Sequence, residues 1–411
     1  MHMFGTYGTI SKKEGTNMNY SFAEHTKHFK SSAVRDILNV IQQGNVISFA
    51  GGLPSDDFFP IEAVQNAYEK VFASGKSSLQ YGLTEGFIPL REAVQSVMKR
   101  KGIESTVETT MLTTGSQQVI DLFSRVMLSD GDVVLTEDPT YLAALQVFRS
   151  YGAKVVAVNG DEHGMDPKDL EEKMKAYQPK FVYVVPTFSN PDGKIWSEER
   201  RQKLVELCYQ YNVLTLEDDP YGELKFTDDT FHPIASFDRN RSHVLYTSTF
   251  SKTVVPALRT GWVTGPKEVI AMISQGKQMT DLHSSSIDQQ ALYYIMRDFD
   301  LQNHIQNLRK EYYNRMTIMR DYLTKLDAGI FKWSEPKGGM FMWIEGNENL
   351  DVTTLLNEAV KNGVAYVPGA PFYVEEPKLN TFRLNFSHST PENIKLGMDR
   401  LISVLLNQVT V

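Results

Sequence analysis

Through the middle of the chain, short β-branched runs alternate with longer stretches of helical spacing. Residues 132–136, 154–158, 181–185 and 213–216 are almost continuously apolar, which predicts short strands with both faces buried. Between them, residues 140–151, 167–177 and 197–211 place apolar side chains on one face of a helix. Strand–helix alternation of this kind predicts an α/β fold, with helices on both faces of a mainly parallel sheet. Ligands in such sheets bind at the carboxyl ends of the strands, and the polar segments of this chain follow the apolar runs at those ends.

Near residue 299 the pattern changes. A long helix is predicted over 301–326, then a strand at 340–344, a helix at 352–362, a strand at 364–368 and a last helix from Pro391. This succession predicts a smaller α+β domain. The expected division is a polar arm (1–20), a segment packing on the small domain and the active site (21–60), a large domain (61–298) and a small domain (299–411). No internal repeat or low-complexity linker separates them, so they should be closely joined.

Composition narrows the function classes. The chain has 411 residues, too many for one simple core, with 41% hydrophobic and 22% charged residues, as in ordinary globular proteins. A net charge of −8 argues against a nucleic-acid surface and leaves room only for a local basic pocket for a small anion. No run of about 18 apolar residues predicts a membrane span. The first 20 residues lack the apolar stretch of a secretory signal. Cys208 is the only cysteine, which rules out an internal disulfide or a multi-cysteine metal site and fits a cytoplasmic protein. Leu204, Leu207, Cys208 and Tyr211 share one helical face, so Cys208 is expected in the core.

The chemistry lies in the polar ends. Lys252, in Ser248-Thr249-Phe250-Ser251-Lys252, follows the apolar run Val244-Leu245-Tyr246, with Arg259 seven residues on. Desolvation and a nearby cation favour its neutral amine, which suits attack on an aldehyde, while Ser, Thr and Arg suit a phosphate. Pyridoxal 5'-phosphate carries both groups. Gly115-Ser116-Gln117-Gln118 opens a predicted helix and offers free amides to an anion, although a turn glycine with a serine cap would look the same. Tyr141 stands where a ring could stack on a flat ligand, or where a core tyrosine would be. Asn190-Pro191 is a turn whose amide can donate to a phenolate oxygen. In Glu217-Asp218-Asp219-Pro220-Tyr221, a carboxylate and a tyrosine can grip opposite edges of one heteroaromatic ring, with Asp218 at the required spacing and Asp219 as fallback. A solvated acidic turn is the competing reading. Arg383, between Phe382 and Leu384, should be partly buried and needs an anionic partner, either a substrate carboxylate or an internal salt bridge.

Taken together and in this order, these motifs resemble the signature of class I/II aminotransferases, which are fold-type I pyridoxal-phosphate enzymes. The resemblance runs from about Ile47 to the end of the chain. Ala50-Gly51-Gly52-Leu53-Pro54 and Tyr81 in Leu79-Gln80-Tyr81-Gly82 are similar to the branch of 2-aminoadipate and kynurenine aminotransferases. The resemblance implies a seven-stranded, mainly parallel sheet in the large domain. It implies Lys252 as the Schiff-base lysine and proton shuttle, with Asp218 and Tyr221 as its catalytic companions. Ser116, Gln117, Thr249, Ser251 and Arg259 would hold the phosphate, Tyr141 would stack on the ring, and Asn190 and Tyr221 would contact its 3-oxygen. Arg383, Asn190 and Gly52 would meet the substrate. Tyr81 would reach the phosphate of the other subunit, so a homodimer with shared sites is implied. Asp192 departs from the family, which usually has Thr or Ser there.

The implied reaction moves an amino group from an L-amino acid to a 2-oxo acid such as 2-oxoglutarate, in two half-reactions. A lyase or decarboxylase on the same scaffold is the alternative. A MocR-like regulator would need a winged helix–turn–helix ahead of Gly51-Gly52, and the preceding residues of this sequence are expected to be too few. Arg35, on a predicted amphipathic helix, could meet an acidic substrate side chain, or could pair with Asp36 on the surface. If it meets substrate, Arg35→Ala raises the Michaelis constant for glutamate or 2-aminoadipate more than for leucine or phenylalanine. Equal effects across the four donors would remove that role.

Overall fold

Seven strands form the large sheet: β1 (Thr110–Thr113), β2 (Val133–Thr136), β3 (Lys154–Ala157), β4 (Phe181–Val184), β5 (Leu214–Asp218), β6 (Val244–Thr249) and β7 (Gly261–Thr264). They lie in the order β1-β7-β6-β5-β4-β2-β3 in a computed structural model that describes residues 20–29, 46–326 and 329–409. All neighbours are parallel except at β7, which runs antiparallel to both β1 and β6. Because β7 is reversed, its first residues lie at the edge where the other strands end. Arg259, two residues before β7, is delivered there with Lys252.

Strict alternation along β4 divides the two cores. Phe181, Tyr183 and Val185 pack with Ile120, Phe123 and Phe148 from the helices Ser116–Met127 and Leu142–Ser150. Val182 and Val184 face the other way, onto Leu204, Leu207 and Cys208 of the helix Glu198–Tyr211. The expected helix over 167–177 is Pro167–Tyr177, and its limits have local causes. Asp166 accepts from the amides of Lys168 and Asp169, Pro167 suits the first turn, and Gln178 ends the helix with φ 46°.

A second, four-stranded sheet pairs Lys332–Trp333, Phe341–Glu345, Thr381–Asn385 and Val367–Pro368 in that order, all antiparallel. Its core includes Tyr312 and Met319 of the helix Leu301–Leu323 and Met398 and Leu401 of Pro391–Val409. The single strand expected over 364–368 is two. Val364–Ala365 runs parallel to Ile47–Ser48, whereas Val367–Pro368 joins Thr381–Asn385. Between them Tyr366 is buried and donates its hydroxyl to Val352 O at 2.6 Å, which anchors the point where the chain changes partners. Further links bind the early segment to this region: Asn385 N donates to Phe49 O at 2.8 Å and Ser55 N to Tyr312 Oη at 2.9 Å. The arm up to residue 19 and the segment carrying Arg35 lie outside the described residues. Among the described residues no helix is long and apolar enough to cross a membrane.

Cys208 is buried in the core as its helical face required, with its sulfur 3.1 Å from Thr215 Oγ1, and burial pushes its thiol up to about 12. A thiol reagent at about pH 8 should therefore find no reactive thiol in the native chain and one per chain after denaturation. Rapid native labelling would contradict this packing.

Candidate active site

The segments that follow β1, β2, β4, β5 and β6, the residues before β7, and Gly52, Phe372 and Arg383 line one cavity of ≈ 320 Å³ at the carboxyl edge of the large sheet. Beyond β1 the chain turns through Gly115 at φ 75°, and the helix Ser116–Met127 starts there with its free amides. The positive φ favours glycine at position 115, and a Cβ there would sit 2.9 Å from Arg259 Nη2, so the guanidinium would have to shift. Beyond β6, Thr249 Oγ1 accepts from Ser251 N at 3.2 Å and lies 2.9 Å from Ser251 Oγ. The guanidinium of Arg259 meets neutral oxygens, Ser251 Oγ and Thr114 O, each at 3.4 Å. Ser116, Gln117, Thr249, Ser251 and Arg259 thus surround one side of the cavity with donors and a cation.

Across the cavity Asp218, the last residue of β5, is buried. Its Oδ2 accepts from Tyr183 Oη at 2.9 Å, while Oδ1 has no hydrogen-bond partner. Burial pushes this carboxyl up to about 7, and Asp219 acts in the same direction, while the Tyr183 hydroxyl and, more weakly, the Ser116 hydroxyl oppose it. Asp219 turns away from the cavity: its Oδ2 takes Lys101 Nζ at 3.0 Å and Tyr246 Oη at 2.7 Å. Of the two carboxylates weighed from the sequence, Asp218 is the one that faces the cavity. Tyr141 and Val185 form part of the wall between them, with Tyr141 Oη 3.3 Å from Gln117 Oε1.

Lys252 donates to Gly52 O at 2.8 Å. Burial, then the charges of Arg259 and Arg383, lower its amine to about 8. Arg383 is buried on the small-sheet strand Thr381–Asn385. Its Nη1 donates to Asn190 Oδ1 at 2.6 Å and its Nη2 to Ala50 O at 2.8 Å, and Nε has no partner. The guanidinium carbon lies 4.1 Å from the ring centre of Phe341 and 5.2 Å from that of Phe372. Burial lowers Arg383 to about 10. These partners are neutral, so the internal salt bridge weighed for Arg383 is replaced by two carbonyl-type acceptors and two aromatic faces. Tyr221 lies beside Phe341, ring centres 5.7 Å apart, and burial raises its phenol well above the usual value.

The cavity brings together all the candidate residues except two. Tyr81 is 79% exposed and borders a separate groove near Ser286, and Arg35 lies outside the described residues. Sequence reasoning missed Tyr183, which holds Asp218, and Phe341 and Phe372, which flank Arg383. Tyr183 sits in an apolar run where only the alternation of β4 marks its face. The residues fit pyridoxal 5'-phosphate: the unpaired Asp218 Oδ1 can meet a ring N–H, the glycine-lined turn and Arg259 can meet a phosphate, and Lys252 can meet an aldehyde.

A lysine, a buried carboxylate and an anion cup at the carboxyl edge of this sheet define a pyridoxal-phosphate enzyme of fold type I. The family aminotransferase class I and II matches residues 16–401, and the chain belongs to it. It is 36% identical over 407 residues to aromatic-amino-acid aminotransferase 1 of Thermococcus litoralis, covering 97% of each chain. The structure of a multiple substrate aminotransferase from Thermococcus profundus superposes with a TM-score of 0.89 at 37% identity, over 95% of this chain and 98% of that one. The alpha-aminoadipate aminotransferase of Thermus thermophilus, solved with N-(5'-phosphopyridoxyl)-L-leucine, gives 0.88 at 31% identity, over 95% and 98%. The protein is an aminotransferase that works with pyridoxal 5'-phosphate.

The lowered amine has a direct test. In the full chain freed of coenzyme, Lys252 becomes neutral as pH rises through about 8, whereas an exposed lysine stays charged until about 10.4. A limiting dose of an amine reagent near that pH should mark Lys252 first, as read by peptide mass. Labelling no faster than that of the surface lysines would count against the lowered value.

Proposed function

We propose that this aminotransferase takes its amino group from an L-amino acid with an aromatic, branched-chain or 2-aminoadipate side chain and delivers it to a 2-oxo acid such as 2-oxoglutarate. The observation that carries the site assignment is the pairing of a lowered lysine with an unpaired buried carboxylate oxygen around one cavity. When bound, pyridoxal 5'-phosphate supplies an aldehyde carbon that takes up the amino group and a ring that spreads the charge left at the substrate Cα. Lys252 is the residue that holds the coenzyme covalently. Once freed, its Nζ would take the proton from the substrate Cα and hold it for return. The carboxylate of Asp218 keeps a proton on the ring nitrogen. A cation placed there also favours the ionised carboxyl, which burial alone disfavours.

Arg383 binds the substrate carboxylate with its planar fork, its Nε being unpaired and its faces held by Phe341 and Phe372. Asn190 and Tyr221 hold the ring's 3-oxygen, Tyr141 stacks on the ring, and Gly52 borders the substrate. Ser116, Gln117, Thr249, Ser251 and Arg259 hold the phosphate. The breadth of donors is supported by the apolar lining of Leu142, Ala143, Val185 and Phe372, and by the activities named for the relatives. Arg35 is the proposed contact for an acidic side chain.

The proposal includes a homodimer in which Tyr81 reaches the partner's phosphate. Its support is the outward position of Tyr81 beside exposed Leu79 and Leu83, an apolar surface that a second copy would cover. Residues 61–298 would form the coenzyme-binding unit and 299–411 the smaller one, and the lone buried thiol suits a cytoplasmic setting.

A panel of amino donors against 2-oxoglutarate tests the substrate class. Turnover of aromatic, branched-chain and 2-aminoadipate donors with ping-pong kinetics is expected, and intersecting double-reciprocal lines would contradict it. Lys252→Ala should cut turnover by roughly 10²–10⁴-fold or more. In the wild type, borohydride should fix the coenzyme's mass on the Lys252 peptide, and failure of both would move the covalent site elsewhere.

A further inference from the structure

Gln118 belongs to the turn motif Gly115-Ser116-Gln117-Gln118, yet it does not line the cavity and has no part in the chemistry above. Its side chain turns back instead. Gln118 Oε1 accepts the amide of Thr114 at 2.8 Å, closing the turn across Gly115 and Ser116. The same oxygen accepts from Lys277 Nζ at 2.8 Å. Lys277 lies on the helix Lys267–Asp281 and is fully buried. An ammonium in that position is costly unless its donors are all used. They are: Nζ also meets Asp281 Oδ1 and Oδ2 at 2.9 and 2.8 Å and Ser284 Oγ at 2.9 Å.

Two arms run from this ammonium to the same residue. One goes through Gln118 Oε1 to the Thr114 amide. The other goes through Ser284 Oγ, which lies 2.8 Å from Thr114 Oγ1. Gln118 Nε2 donates to Asp281 Oδ2 at 2.7 Å, and Gln289 Nε2 to Ser284 O at 3.0 Å, so neither arm can swing freely. A surface ion pair with Asp281 alone would require neither full burial nor both arms.

We propose that Lys277 is a positioning residue for the phosphate cup: through Gln118 and Ser284 it fixes Thr114, and thereby the Gly115–Ser116 amides and the carbonyl that Arg259 meets. This rests on the proposal that the cup takes the coenzyme phosphate. Lys277 does not line the cavity. Its contribution is confined to the phosphate end, since its arms end on Thr114 and not on Asp218, Lys252 or Arg383.

The readout is therefore the ratio of two affinities. The full-length chain is titrated with pyridoxal 5'-phosphate and, separately, with pyridoxal, which lacks the phosphate, and binding is followed by absorbance. The wild type should bind pyridoxal 5'-phosphate much more tightly; equal affinities would refute the phosphate cup itself rather than the role of Lys277. Lys277→Met should shrink the ratio by on the order of tenfold, the scale of losing a charge-assisted hydrogen bond, while pyridoxal affinity holds. Ser284→Ala and Gln118→Met each cut one arm and should shrink it less. They decide the matter if Lys277→Met does not fold. A wild-type ratio in folded Lys277→Met, or in both single-arm variants, overturns the proposal. So does a parallel loss for both ligands, which a general loosening of the fold would give.

Discussion

Lys252, Arg259 and Arg383 converge on a cavity in which Asp218 is the carboxylate, and each points at neutral oxygens: Gly52 O, Ser251 Oγ with Thr114 O, and Asn190 Oδ1 with Ala50 O. Positive charge held in a confined space without equal negative charge is the constraint on which the rest turns. It adds to burial, the larger cause, in lowering the lysine, and it leaves both guanidinia short of anions. On the proposed assignment, a coenzyme phosphate beside Arg259 and a substrate carboxylate beside Arg383 would supply the missing charge. In such a site, binding and chemistry draw on the same imbalance.

The sheet explains how these groups come to meet. Parallel strands bring Ser116, Asp218 and Lys252 to one edge, each from the end of its own strand. Arg259 arrives from the opposite direction because β7 is reversed. It adopts a left-handed backbone at φ 45°, and Gly115 leaves the space its guanidinium needs. Arg383 comes from the other sheet. The Arg383 end of the cavity is thus built from a different core than the Ser116 end.

What the sequence disclosed follows the same physics. Charged residues closing apolar runs, as Asp218 and Lys252 do, are visible because burial makes them expensive. The helix Pro167–Tyr177 was legible from the helical spacing of its apolar residues, and the structure adds Asp166 and Pro167 at its start. The division of residues 364–368 was not, since the partners of Val364 and Val367, Ile47 and Arg383, are set by distant pairing and not by local pattern. Tyr183 was hidden among apolar neighbours. Lys277 was hidden more deeply: on an amphipathic helix a buried lysine looks like a solvated one until the positions of Gln118 and Ser284 are known.

A single stretch of main chain, Ala50 to Gly52, offers carbonyls to both Arg383 and Lys252. If Lys252 and Arg383 act as proposed, covalent use of the amine and a carboxylate on the guanidinium would each compete with these carbonyls. One short strip of backbone thus meets both the amine and the guanidinium of the cavity. Phe49, the residue before it, accepts the amide of Asn385 on the strand that carries Arg383, so this strip ties the floor of the cavity to the smaller sheet by main-chain bonding.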